Sequence, residues 1–117
     1  FSRVLFRSDC PASFTSGACV AMRWEQLPTE EAFGSFQFQI FRLEEGAAVL
    51  TDMPDLELLL WMPSMGHGSS PVALEHLGLG LYRASRVFFT MRGEWEIRFL
   101  KKAGANVQDQ AILGLRF

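Results

Sequence analysis

The sequence predicts an all-β domain, an immunoglobulin-like antiparallel β-sandwich, and three observations point to it. Apolar and polar residues alternate in several short segments, as they do on half-buried strands. These segments recur at regular spacing between glycine, proline and polar turn signals. No stretch carries a convincing amphipathic helix pattern. The aromatic content agrees: 11 phenylalanines and 3 tryptophans in 117 residues are side chains that pack well on a pleated surface. The length suits one domain, residues 1–117, with a core of its own. Apolar residues at 49% and charged residues at 21% describe a globular chain rather than a disordered one. Because the chain starts at Phe1, we expect an N-terminal signal or anchor segment to have been removed.

The elements follow in order. Cys19 to Glu25 begins as an apolar run and ends in alternation, a strand stopped by Pro28 and followed by the polar connection Thr29-Glu30-Glu31. Ser35 to Leu43 is the clearest strand. Phe36, Phe38 and Ile40 share one face and Gln37 and Gln39 the other, while Phe41 breaks the alternation. Glu44-Glu45-Gly46 reads as a turn. Leu56 to Met62 is continuously apolar, which predicts a central strand covered on both faces. Val72 to Leu77 and the glycine-broken Gly78 to Ala84 supply further strands. Arg86 to Met91 and Trp95 to Phe99 read as a hairpin about Arg92-Gly93-Glu94, with Trp95, Ile97 and Phe99 on its buried face. Lys101 to Gly104 is a turn, and Asp109 to Phe117 the last strand.

Cys10 and Cys19 are the only cysteines and bracket a turn-like Pro-Ala-Ser-Phe-Thr-Ser-Gly-Ala segment. We expect a disulfide closing this loop in an oxidising compartment. The competing reading is a pair of thiolates that binds a soft metal or exchanges with another thiol. The spacing is not Cys-x-x-Cys, which argues against a thioredoxin-like site. The two are also too close together to be the inter-sheet pair of an antibody domain.

Several function classes are disfavoured. A net charge of −2 lacks the basic face that nucleic acid requires. No apolar run is long enough to span a bilayer; the longest lie around Leu58 to Met62. There is no supported Ser/His/Asp set, no phosphate-cradling glycine loop and no dense carboxylate cluster, so no enzyme is expected. Glu75 and His76 are adjacent, and on a strand they would face opposite ways. His76 reads as an edge histidine, a spare ligand only if its strand returns beside the loop described next. Asp52, Asp55 and Glu57 read as solvated or turn-forming.

Met62-Pro63-Ser64-Met65-Gly66-His67-Gly68 concentrates the chemistry. Two thioethers and an imidazole share a short glycine-rich loop. Thioether sulfur is soft and imidazole borderline, a set that suits copper better than magnesium or calcium. Met91, from the expected hairpin, would complete a Met/His set of Met62, Met65, His67 and Met91 for Cu(I). On the bland reading, Met62 finishes a buried strand, Met65 fills a gap under the loop, and Trp95 is a core anchor.

Taken together, Met62-Pro63-x-Met65-x-His67, the later Tyr82, and Phe89-x-Met91-x-Gly93-x-Trp95 resemble the YtkA-like and FixH-like domains of bacterial envelope proteins. The resemblance covers roughly residues 33 to 100 and leaves out the cysteine-bearing start and the tail after Lys102. It implies a small immunoglobulin-like sandwich in a periplasmic or otherwise extracytoplasmic setting, exported or membrane-tethered. It also implies an association with copper handling or the assembly of copper-containing oxidases, with an envelope protein or copper enzyme as partner. Two functions follow: a copper-binding accessory module, or a structural or protein-interaction module whose loop docks on a partner or on its own core.

Overall fold

The computed structural model describes residues 9–69 and 71–117. Residues 1–8 of the expected domain, and Ser70 in the glycine-rich loop, lie outside the described residues. The strands are β1 (Ala12–Ser13), β2 (Cys19–Gln26), β3 (Gly34–Glu44), β4 (Ala47–Leu50), β5 (Leu56–Met62), β6 (His67–Gly68), β7 (Ala73–Gly78), β8 (Leu81–Val87), β9 (Glu94–Ala103) and β10 (Asn106–Arg116). All pairings are antiparallel, and no described residue is helical. One sheet runs β1-β2-β3-β8-β7, with β4 also paired to β3; the other runs β10-β9-β5-β6. Without the short β1, β4 and β6, the order is β2-β3-β8-β7 against β10-β9-β5, the pairing order of a constant-type immunoglobulin sandwich.

Alternation builds the core. Phe36, Phe38 and Ile40 of β3 face Leu58, Leu60 and Met62 of β5 and Trp95, Ile97 and Phe99 of β9, all buried. Phe38 joins the two sheets: its ring stacks on Tyr82 of β8 at 5.1 Å and meets the edge of Phe99 of β9 at 5.0 Å. Phe41, which broke the pattern, is buried on the opposite face of β3. There it packs with Cys19 and Ala21, flanked by Cys10, Ala48 and Leu50. A second, smaller apolar cluster thus rewards the out-of-register phenylalanine.

Cys10 and Cys19 form a disulfide, with Cα atoms 5.2 Å apart. The loop it closes is tied to β10: the N–H groups of Thr15 and Ser16 donate to the two carboxylate oxygens of Asp109 at 2.8 and 3.0 Å.

Four expectations are corrected. Residues 86–99 are not a hairpin. β8 ends at Val87 in one sheet and β9 starts at Glu94 in the other, so residues 88–93 cross between sheets. Arg86, at φ 60°, marks a bulge opposite Gly34 to Phe36, after which Val87 still pairs with Gly34 before the chain crosses. The hairpin in this region is β7–β8, about Leu79-Gly80. Next, β5 is not covered on both faces. It has β9 along its length on one side but β6 only at Trp61 and Met62 on the other. Its outward Leu59 and Trp61 are half-buried, and Trp61 lies under the Arg98 guanidinium at 5.2 Å. The last strand begins at Asn106 rather than Asp109, because the turn is only Gly104-Ala105. Finally, Ala47 to Leu50 forms a strand where none was expected, paired with β3 through the turn at Glu45 and Gly46, both with positive φ.

Candidate functional site

The Met/His loop sits where β5 ends. His67 is the cross-strand partner of Met62, and Gly68 that of Trp61. Directly paired residues share a face, so His67 is on the inner face with Met62. On the other side Trp61 pairs with Glu96, which sets Met62 beside Trp95, and Trp95 pairs with Leu115. One inner-face row therefore crosses the second sheet: His67, Met62, Trp95, Leu115.

Trp95 organises this row. It is 1% exposed, as expected of a core anchor. Its Nε1–H donates to the Met91 carbonyl at 2.9 Å, which satisfies the one polar atom of the indole. Its ring lies 5.1 Å from Phe89 and meets the His67 ring edge-on at 6.3 Å. The backbone at Met91 is thus held against the tryptophan that borders the histidine.

Gly93 closes the gap between the crossing loop and β5. Its N–H donates to Phe117 O at 3.1 Å, and Phe117 N–H donates back to Gly93 O at 3.0 Å. A Cβ at Gly93 would displace Met62 Cε, the far end of a flexible side chain, and the backbone at φ 144° is the conformation that calls for glycine. The positive dihedral expected here is present, although it serves a crossing between sheets and not a tight hairpin.

The four candidate ligands divide. Met62 is 5% exposed, with its terminal methyl pressed toward Gly93. Met65 is 54% exposed on the turn before β6, where Gly66 N–H donates to Met62 O at 2.9 Å. Met91 is 41% exposed on the crossing loop, and His67 is half-buried. Met62 and His67 share the row, and Met91 joins it through its backbone; Met65 stands at the turn. His67 Nδ1–H donates to Gly68 O at 3.3 Å. That contact favours the tautomer in which Nε2 carries the lone pair.

His76 is an edge histidine, as expected, but at the other end of the sandwich. Its Nε2–H donates to Asp52 Oδ1 at 3.0 Å, and Asp52 precedes β5, whereas His67 lies beyond its last residue. It is therefore no ligand for the His67 loop. Its neighbour Glu75 faces the other way, toward Arg83.

Sequence reasoning missed this second end. Asp52 Oδ1 also accepts Gly80 N–H at 2.7 Å, and that bond, ahead of the one from His76, holds its carboxyl below the usual value of 3.8. Tyr82 O–H donates to Met53 O at 3.3 Å and accepts Met53 N–H at 3.0 Å. The signal was weak, since Asp52 and Gly80 meet only through the fold.

A sequence profile described as YtkA-like matches residues 26–99. The chain belongs to the YtkA-like family. The YtkA-like region runs from the end of β2 through most of β9 and contains both the Met62–His67 and Phe89–Trp95 motifs. The disulfide loop and β10 lie outside it. No curated protein and no solved structure matches the chain significantly.

Proposed function

We propose that this YtkA-like domain is a non-catalytic copper-handling module of the bacterial envelope that takes Cu(I) as cargo at the His67 end. The observation that carries the reading is the orientation of His67. Its Nδ1–H is engaged by the Gly68 carbonyl, the arrangement by which metal-binding histidines present the other nitrogen. The donor chemistry agrees. Among the described residues no three of His, Cys, Asp and Glu gather as a metal cluster, so a site here draws its remaining donors from thioethers. Met65 and Met91 are the exposed sulfurs, and Met62 backs them from the core. Such ligands favour Cu(I) and need no deprotonation, which suits a mildly acidic compartment. The Cys10–Cys19 disulfide supports an oxidising, extracytoplasmic location. The partner on this reading is an envelope protein or copper enzyme that gives or receives the metal.

One observation favours a second reading, a protein-interaction module without metal. Leu27, Phe33, Met65 and Met91 are all exposed on connections near this end of the sandwich, and methionine-rich surfaces adapt to partners. Titration of Cu(I) against a competing chelator separates the two, using the wild type and a His67→Ala, Met65→Ala double variant. Copper handling requires the double variant to fall to the level of adventitious surface binding. Equal affinity of the two proteins overturns the metal reading in favour of interaction.

A further inference from the structure

The side of the sandwich between β5 and β7 carries no strand pairing upstream of Trp61 among the described residues: Ser69 N–H reaches Leu60 O at 3.1 Å, and below that bond a cavity separates Glu57 to Leu60 from Pro71 and Val72. β7 pairs only with β8, and β5 upstream of Trp61 has β9 on one side and no strand on the other, among the described residues. A cleft of about 400 Å³ lies between these edges. Leu56, Leu74 and Tyr82 give it apolar walls, and Asp52, Asp55 and His76 give it polar groups. Its lining contains two carboxylates and neither lysine nor arginine. Of the nearby cations, Arg83 pairs with Glu25 and Glu75 and Lys102 lies 3.9 Å from Glu57, while Arg42 and Lys101 line the adjoining pocket that shares Asp52, Met53 and Pro54.

Asp52 is poised for another donor. Among the described residues, both hydrogen bonds to its carboxylate, from Gly80 N–H and His76 Nε2–H, fall on Oδ1, which leaves Oδ2 for an incoming group. The carboxylate is half-exposed and fixed in place by those two bonds.

We propose that this cleft binds the lysine or arginine side chain of an extended peptide segment that lies along the free edge of β5. The aliphatic stem rests against Leu56 and Leu74, and the cationic head reaches Asp52 Oδ2 and Asp55. An anionic ligand is excluded by the two carboxylates. A basic side chain on an apolar stem matches both the charge and the walls, and the free strand edge offers main-chain partners to an extended segment. The site is remote from His67 and does not depend on copper.

The probe is a capped peptide of alternating valine and threonine with one central lysine, titrated into isotope-labelled protein and followed by amide resonances. Saturable shifts at Leu56, Leu74 and Gly80, with little change at Gly93 and Trp95, are expected. Replacing the lysine by norleucine, or Asp55 by asparagine, weakens binding about tenfold, the size of one charge-assisted hydrogen bond. Asp55 is exposed, so Asp55→Asn tests charge without threatening the fold, and Asp52→Asn repeats the test at the better-held carboxylate. Equal binding of the norleucine peptide overturns the proposal, as does the absence of shifts at the cleft. N-acetyl-lysine methylamide binding as tightly as the peptide overturns the role of the strand edge.

Discussion

The two ends of the sandwich are built on opposite plans. At the His67 end the row His67, Met62, Trp95 and Leu115 is closed by side-chain packing, and Gly93 admits the methyl of Met62 because it has no Cβ. At the Asp52 end the closure is polar. Gly80 O accepts Ile40 N–H at 2.8 Å, Ile40 O accepts Thr51 N–H at 3.0 Å, and Asp52 then reaches back to Gly80 N–H. Gly80 is needed there, since a Cβ at its φ of 64° would stand 2.6 Å from Ile40 O. The His67 end therefore combines side-chain packing with neutral backbone bonds at Gly93 and Phe117, the Asp52 end depends on a charged carboxylate as well, and each should fail under different stress.

The largest effect is expected from Trp95→Ala. The indole is essentially fully buried and touches Phe89 and the His67 ring, so its removal should cost about 3–5 kcal/mol. Denaturant midpoints measure the loss. An unchanged midpoint would mean that the row is not what closes this end.

Gly93→Ala comes next. It adds a Cβ that Met62 Cε must move to admit, at a backbone angle that L-residues avoid, with an expected cost of about 1–3 kcal/mol. A double-mutant cycle with Met62→Ala separates the two causes. Relief of the collision should recover part of the loss and leave the backbone share. Strict additivity would show that Met62 and Gly93 do not meet.

How much of each end was legible follows from the range of the interactions. The His67 end announced itself because its residues fall in two short motifs and its core face obeys the alternation of period two; Trp95 could be placed from Ile97 and Phe99 alone. What stayed hidden was topology. Phe89 and Trp95 looked like hairpin partners, yet the chain crosses between sheets there, and neither the bulge at Arg86 nor the crossing of residues 88–93 leaves a mark in the hydrophobic pattern. The Asp52 end was illegible for a related reason. Asp52, His76 and Gly80 are unremarkable in their own segments; the pairing of β7 with β8 sets His76 near Gly80, and the Ile40 bonds to Gly80 and Thr51 bring Asp52 to them.

Acid should separate the ends. Gly80 N–H holds the Asp52 carboxyl below 3.8, so the stability that ionised Asp52 contributes is fully present above about that pH and lost as pH falls through the lower folded value. Glu25 behaves alike on the outer face of the first sheet. The Arg83 guanidinium, aided by Gln37, lowers its pKa from 4.5 to about 2, and its share disappears between those values. Hydrogen exchange, corrected for intrinsic rates, should show the Gly80 amide losing protection below pH 3.8 before the Gly93 amide does. Simultaneous loss would mean that the carboxylate does not hold the Asp52 end.

The smallest effect on stability, and the most telling for function, is expected from Met65→Leu. Met65 is 54% exposed at the turn, and leucine nearly preserves its volume, so the fold should change by less than about 0.5 kcal/mol. Only the sulfur is lost. If the exposed thioethers hold Cu(I) beside His67, affinity falls while the denaturation midpoint stays put, and Met91→Leu repeats the pattern from the crossing loop. Met62→Leu should behave differently, disturbing the contact at Gly93 as well as removing a donor. Cu(I) titration beside chemical denaturation distinguishes these cases. Unchanged affinity in both Met65→Leu and Met91→Leu would return the His67 end to the role of an apolar docking surface, in which the thioethers count for their shape and not their sulfur.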